Sequence, residues 1–117
     1  MTNKKILLIE DNEMNAKLMM DILSFYKYDV TLANHPKKAY EDLNNNQYDL
    51  ILLDIQLPEI SGYELLSSIN KKLKVIVVSA CAMEEEINKA YEYGCLDYIT
   101  KPINVADFIK RIKVHID

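Results

Sequence analysis

Five polar residues of this chain sit directly after short apolar runs, where a side chain is held on a rigid backbone. Glu10-Asp11 closes Ile6-Leu7-Leu8-Ile9, Asp54 closes Leu50-Ile51-Leu52-Leu53, Ser79 closes Val75-Ile76-Val77-Val78, and Lys101 follows the run around Tyr98-Ile99. If the first and third runs are neighbouring strands, their ends lie about 5 Å apart and three carboxylates converge. Like charges so placed raise one another's pKa, and a divalent cation reverses that balance. Magnesium suits such a site, because it prefers hard oxygen ligands and keeps waters that a phosphate oxygen can replace. The hydroxyl of Ser79 and the ammonium of Lys101 would then complete a phosphoryl site, one by a hydrogen bond and the other as a point charge. Taken singly, each residue has a plainer account: Asp11 or Asn12 capping a helix, Asp54 starting a turn before Pro58. The order on successive runs, acid pair, acid, hydroxyl, lysine, is what carries the signal.

The elements that must position these groups follow from periodicity. Strands are predicted over 4–10, 29–33, 48–55, 74–79 and 96–100, and helices over 13–27, 36–46, 61–72, 83–93 and 104–116. The first, third and fourth strands are continuously apolar, as strands covered on both faces are, whereas those around Val30 and Tyr98 alternate and belong at sheet edges. Pro36 suits a first turn, Ser61 with Glu64 and Asn104 with Asp107 suit helix starts, and Gly94 suits a helix end. Met14, Leu18 and Ile22 are expected in the core of the first helix, with Met19 and Met20 astride core and surface. In the last helix Val105, Phe108, Ile109, Ile112 and Ile116 form one stripe, with Lys110, Arg111 and Lys113 outward. The reading is an α/β fold: an open parallel sheet with helices on both faces, whose functional site lies at the carboxyl ends of the strands.

A chain of 117 residues with 50% hydrophobic content is expected to form a single domain over 1–117, with no room for a separate output domain. Its formal net charge of -4 argues against nucleic acid or an anionic membrane as the main partner. The apolar runs are too short to cross a bilayer, and Met1-Thr2-Asn3-Lys4-Lys5 leads directly into the first strand without a secretory signal, which reads as cytoplasmic. Cys81 and Cys95 lack metal-site spacing and are expected to be buried thiols too far apart to bridge. His35 and His115 lie far from the acids in this topology and are expected to be neither metal ligands nor phosphohistidines.

Over essentially its whole length the chain resembles a response-regulator receiver domain of two-component signalling. The matching residues, in order, are Glu10-Asp11, Asp54 with Leu57-Pro58 and Gly62, Ser79-Ala80 and Lys101-Pro102. The stretches Glu10-Asp11-Asn12-Glu13 and Asp54-Ile55-Gln56-Leu57-Pro58-Glu59-Ile60-Ser61-Gly62 are similar in wording to a single-domain cell-division member of that family. The resemblance implies a five-stranded sheet in the order 2-1-3-4-5 and phosphorylation of Asp54. It implies magnesium on Asp11, Asp54 and the backbone carbonyl of Gln56, with Glu10 acting through metal-bound water. Ser79 and Lys101 would contact the phosphoryl group, and Tyr98 would be a switch aromatic that changes rotamer with Ser79. The implied partners are a sensor histidine kinase or histidine phosphotransferase and a downstream protein. The Asp54 to Ser79 interval is several residues shorter than this family leads one to expect, which should shorten the third helix or its exit.

Three other readings fit less well. An aspartyl-phosphate phosphohydrolase of the haloacid dehalogenase type would place an acid two residues after Asp54, where Gln56 stands, so an enzyme is not expected. A flavin module would want a Ser, Thr and Gly-rich loop in place of Glu10-Asp11-Asn12-Glu13. The nearest rival is a receiver-like adaptor that works without phosphorylation. Tyr91, Tyr93 and Glu84-Glu85-Glu86, on or beside the fourth helix, read equally as a solvated face and as a partner surface.

Overall fold

The structure is a computed structural model and describes residues 3–57 and 61–117; the turn expected at Pro58 falls outside them. Strands and helices alternate throughout: β1 (Lys5–Ile9), α1 (Glu13–Phe25), β2 (Asp29–Ala33), α2 (Pro36–Asn45), β3 (Leu50–Leu53), α3 (Gly62–Ser68), β4 (Val75–Ser79), α4 (Glu84–Glu92), β5 (Asp97–Thr100) and α5 (Val105–Ile116). The five strands are parallel in the order β2-β1-β3-β4-β5, with the two alternating strands at the edges as their patterning predicts.

Alternation along the three inner strands divides the core in two. Ile6, Leu8, Leu50, Leu52, Ile76 and Val78 face α1 and α5, packing on Ala16, Met19, Ile22, Leu23, Phe108 and Ile112. Leu7, Ile9, Ile51, Leu53, Val75 and Val77 face the other way, against Ala39 of α2, Leu65 and Leu66 of α3, and Ala90 of α4. Each inner strand is therefore apolar on both sides, which is why its sequence shows no polar alternation.

Four helices start on a side-chain cap. Asn12 accepts from the Asn15 N–H, His35 from Lys37 beside Pro36, Ser61 from Tyr63, and Asn104 from Asp107. The fourth helix is the exception: Met83 offers no side-chain cap, and Ala90 is the one buried residue of the helix. Glu84, Glu85 and Glu86 in its first turn favour the helix dipole instead.

The structure corrects several expectations. Met14 is 84% exposed and Leu18 is 43% exposed, because the face of α1 that meets the sheet is Ala16, Met19, Ile22 and Leu23. Val105, at the first position of α5, is exposed, while Arg111 turns inward to Asp97 and the Tyr98 carbonyl. Leu96 precedes β5 and is exposed. Cys81 is half-buried rather than buried; Cys95 is buried and both are free thiols. The third helix ends at Ser68, and the short interval is closed by a turn in which Asn70 accepts from the Lys72 N–H.

Gly62 and Gly94 are needed for different reasons. A Cβ on Gly62 would lie 2.4 Å from Cα and O of Ile55, whose carbonyl accepts the Gly62 N–H at 3.0 Å. Gly94 has open space but a φ of 105°, which L side chains rarely adopt. Gly62→Ala is expected to cost about 3 kcal/mol, since backbone must move, and Gly94→Ala about 1 kcal/mol from conformation alone. Urea unfolding of both variants checks the ranking; equal losses would mean that the approach to Ile55 relaxes freely.

Candidate functional site

Register builds the site. Ile9 pairs with Leu53 and Ala33, and the ladder continues one step further, with the Asp54 N–H on the Ile9 carbonyl at 3.0 Å and the Glu10 N–H on Ala33 at 3.1 Å. The acids therefore leave β1 and β3 side by side. Carboxylate oxygens of Glu10, Asp11 and Asp54 all lie within 4.8 Å of one another, the one such cluster of potential metal ligands among the described residues. Asn12, not Asp11, caps α1, so the exposed Asp11 carboxylate is not consumed by the helix start.

Across the sheet, Ser79 pairs with Thr100 and its carbonyl accepts the Lys101 N–H at 2.8 Å. The ammonium of Lys101 then reaches over β4 to donate to Glu10 Oε1 at 2.6 Å and Asp54 Oδ2 at 3.2 Å. The Lys101–Pro102 peptide is cis. The other oxygen of Asp54, Oδ1, accepts the Gln56 backbone N–H at 2.9 Å. Gln56 is exposed.

Burial sets the electrostatics. Glu10 is 1% exposed, and this desolvation pushes its carboxyl up to about 7; Lys101 pulls it down, and Asp54 pushes it up again. Burial also works against the Lys101 ammonium, but its hydrogen bond to Glu10 and the charges of both acids outweigh that, leaving its pKa above the usual value. One cation thus partly compensates two buried carboxylates and the exposed Asp11. The donor set, three carboxylates in a partly buried cleft, has the hard-oxygen chemistry of a magnesium site.

Ser79 is fully buried and its Oγ accepts the Cys81 N–H at 3.2 Å. Tyr98 is buried beneath the same loop, its hydroxyl donating to the Cys81 carbonyl at 2.7 Å. Burial raises its phenol pKa, and a hydrogen bond involving Ser79 opposes that rise. The serine and tyrosine singled out in the sequence therefore meet at Cys81. The two histidines stand apart: His35 caps α2, and His115 faces Asp97 at 3.3 Å. Tyr63 is a residue that the sequence reading passed over. It is 8% exposed, next to Gly62, and its hydroxyl donates to Glu86 of α4. The one hint in the sequence is a phenol at a core position of α3, since a buried Tyr hydroxyl requires a partner.

A profile of the response regulator receiver domain matches residues 6–113, and the chain belongs to that family. It is 36% identical over 118 aligned positions to the polar-differentiation response regulator DivK of Brucella anthropi, covering 97% of this chain and 96% of that one. Among solved structures, a CheY-like receiver domain from Methanospirillum hungatei JF-1 superposes with a TM-score of 0.92 at 31% identity, over 99% of this chain and 95% of that one. The receiver domain of the sensor histidine kinase PA1611 from Pseudomonas aeruginosa PAO1 has a TM-score of 0.88 at 27% identity, with 98% of each chain covered. It carries a magnesium ion in its active-site cleft. Among the described residues, no helix is long and apolar enough to cross a membrane.

The raised Glu10 pKa has a definite sign. A carboxyl whose folded pKa lies above its unfolded value stabilises the fold fully below about 4.5, and that contribution is lost as pH rises through about 7. In chelator, wild-type stability is expected to fall by on the order of 2 kcal/mol between pH 5 and pH 8 relative to Glu10→Gln. Parallel urea-unfolding profiles for the two proteins would place the strain elsewhere.

Proposed function

We propose that the protein is a response regulator that accepts a phosphoryl group on Asp54 from a histidine-phosphorylated kinase or phosphotransferase. It signals through state-dependent binding to a downstream protein, and we assign it to cell-cycle or cell-division control, a reading supported by its similarity to a polar-differentiation response regulator. The observation that carries this reading is the convergence of Glu10, Asp11 and Asp54 with Lys101 at one strand-end rim of a receiver fold.

In the transfer, an Asp54 carboxylate oxygen attacks phosphorus as the P–N bond to the donor imidazole breaks. The bonding pair leaves with the ring nitrogen, giving an acyl phosphate and a neutral imidazole. Such chemistry depends on alignment and charge neutralisation rather than on a proton shuttle. The residues suit those tasks. The Gln56 N–H fixes Asp54 Oδ1 and so orients the carboxylate. Lys101 has three N–H donors, of which Glu10 and Asp54 engage two, leaving one for a phosphoryl oxygen. Ser79 lies beside Lys101 across the β4–β5 pair, where its hydroxyl can donate to another phosphoryl oxygen. Magnesium held by Asp11, Asp54 and the Gln56 carbonyl, with Glu10 behind a bound water, would supply the charge that lets three acids accept an anion. Tyr98 would follow the Ser79 hydroxyl and carry the change to the protein surface.

Acetyl phosphate with magnesium should add one phosphoryl group by intact mass; chelator or Asp54→Asn should abolish it. Labelling that survives in Asp54→Asn would overturn the assignment. Lys101→Ala is expected to keep most of this labelling but to weaken state-dependent partner binding at equal phosphate occupancy by about tenfold, the loss of a charge-assisted hydrogen bond. Equal partner affinity would confine Lys101 to phosphotransfer.

A further inference from the structure

Helix α4 is the least anchored helix of the molecule. It has no side-chain cap, buries one residue, Ala90, and packs half-buried Ile87 on the core, so a few polar contacts also help to hold it. Two of those contacts are tyrosine hydroxyls arriving from opposite sides. Tyr98 reaches up from β5 to the Cys81 carbonyl, in the loop that leads into α4. Tyr63 reaches across from α3 to Glu86, whose backbone carbonyl is 3.1 Å away and whose carboxylate is also in hydrogen-bonding contact.

The Tyr63 ring is held as firmly as its hydroxyl. The Lys89 ammonium lies 4.2 Å from the ring centroid, and the Tyr93 ring packs at 5.3 Å, both on or beside α4. At its other end Tyr63 is tied to the strand that carries Asp54. Its N–H is fixed by Ser61 Oγ at 3.1 Å, and the preceding Gly62 packs directly on the backbone of Ile55, the residue after Asp54. Four short links therefore run from Asp54 through Ile55, Gly62 and Tyr63 to Glu86. Tyr63 and Tyr98 belong to one buried cluster. Burial and Glu86 hold the Tyr63 phenol above its ordinary pKa.

We propose that Tyr63 is a positioning residue that ties α4 to the exit of β3, so that a change at Asp54 moves α4 through this phenol as well as through Ser79 and Tyr98. The proposal rests on the phosphoryl-acceptor reading of the site. It makes the response of α4 dependent on two hydroxyls, either of which alone transmits part of the change.

Hydrogen exchange over residues 84–92, with chelator and then with magnesium and beryllofluoride as a phosphoryl mimic, reads this coupling. Bound fluoride is quantified by 19F NMR. Tyr63→Phe keeps the ring and removes the hydroxyl. It is expected to bind beryllofluoride as wild type does yet retain less than about half of the wild-type change in α4 exchange. The double variant with Tyr98→Phe is expected to lose nearly all of it. If Tyr63→Phe is not folded by thermal melting, Tyr63→Leu, which also removes the hydroxyl and keeps an apolar side chain, is read in the same way. A full α4 response in the variant would overturn the proposal, as would exchange that is faster by the same factor in both states, which marks a merely structural strut. Wild type that binds the mimic without any α4 response would also overturn it, whereas wild type that binds no mimic would strike the phosphoryl-acceptor reading itself.

Discussion

The structure turns on the repulsion among Glu10, Asp11 and Asp54. Two of these carboxylates are buried at the ends of β1 and β3, and all three lie within 4.8 Å of one another. Such an arrangement is unfavourable in isolation and persists because the surrounding fold over-determines it. Registered parallel strands deliver the acids, apolar residues above and below the inner strands fix the sheet, and Lys101 spans β4 to supply the one close cation among the described residues. A site short of positive charge favours a divalent ion that can supply it.

The same geometry separates the place where the charge changes from the place where it can be read. Asp54 is nearly inaccessible, at 6% exposure, so under the proposed phosphoryl-acceptor reading a partner would sense its state through elements that move. Helix α4 is suited to move: it is short, uncapped and lightly packed, and tyrosine hydroxyls from β5 and α3 hold its start and its first turns. The strongly packed α5, with Phe108, Ile109, Ile112 and Ile116 buried, is suited instead to stay in place.

Much of this was legible in sequence, for physical reasons. Doubly apolar runs identify inner strands, and a strand-end polar residue in an α/β sheet has one rim to occupy, so Glu10, Asp54, Ser79 and Lys101 could be placed together without coordinates. Local chemistry also marked the caps at Ser61 and Asn104 and the left-handed Gly94. What failed was the rotational phase of α1: Met14 and Leu18 match a helical stripe as well as Ala16 and Met19 do, and only the angle at which the helix meets the sheet decides between them. Tyr63 was missed for a related reason. Its importance lies in a partner 23 residues away on another helix, and no local pattern announces such a contact.

The central claim, that the acid cluster is strained without a cation and relaxed by one, is tested most directly by a carboxyl-carbon NMR titration of Glu10 in metal-free and magnesium-loaded protein. The account predicts a midpoint near 7 without metal and a clear fall once magnesium is bound, because the ion favours the ionised form. An ordinary carboxylate midpoint that is the same in both samples would contradict it.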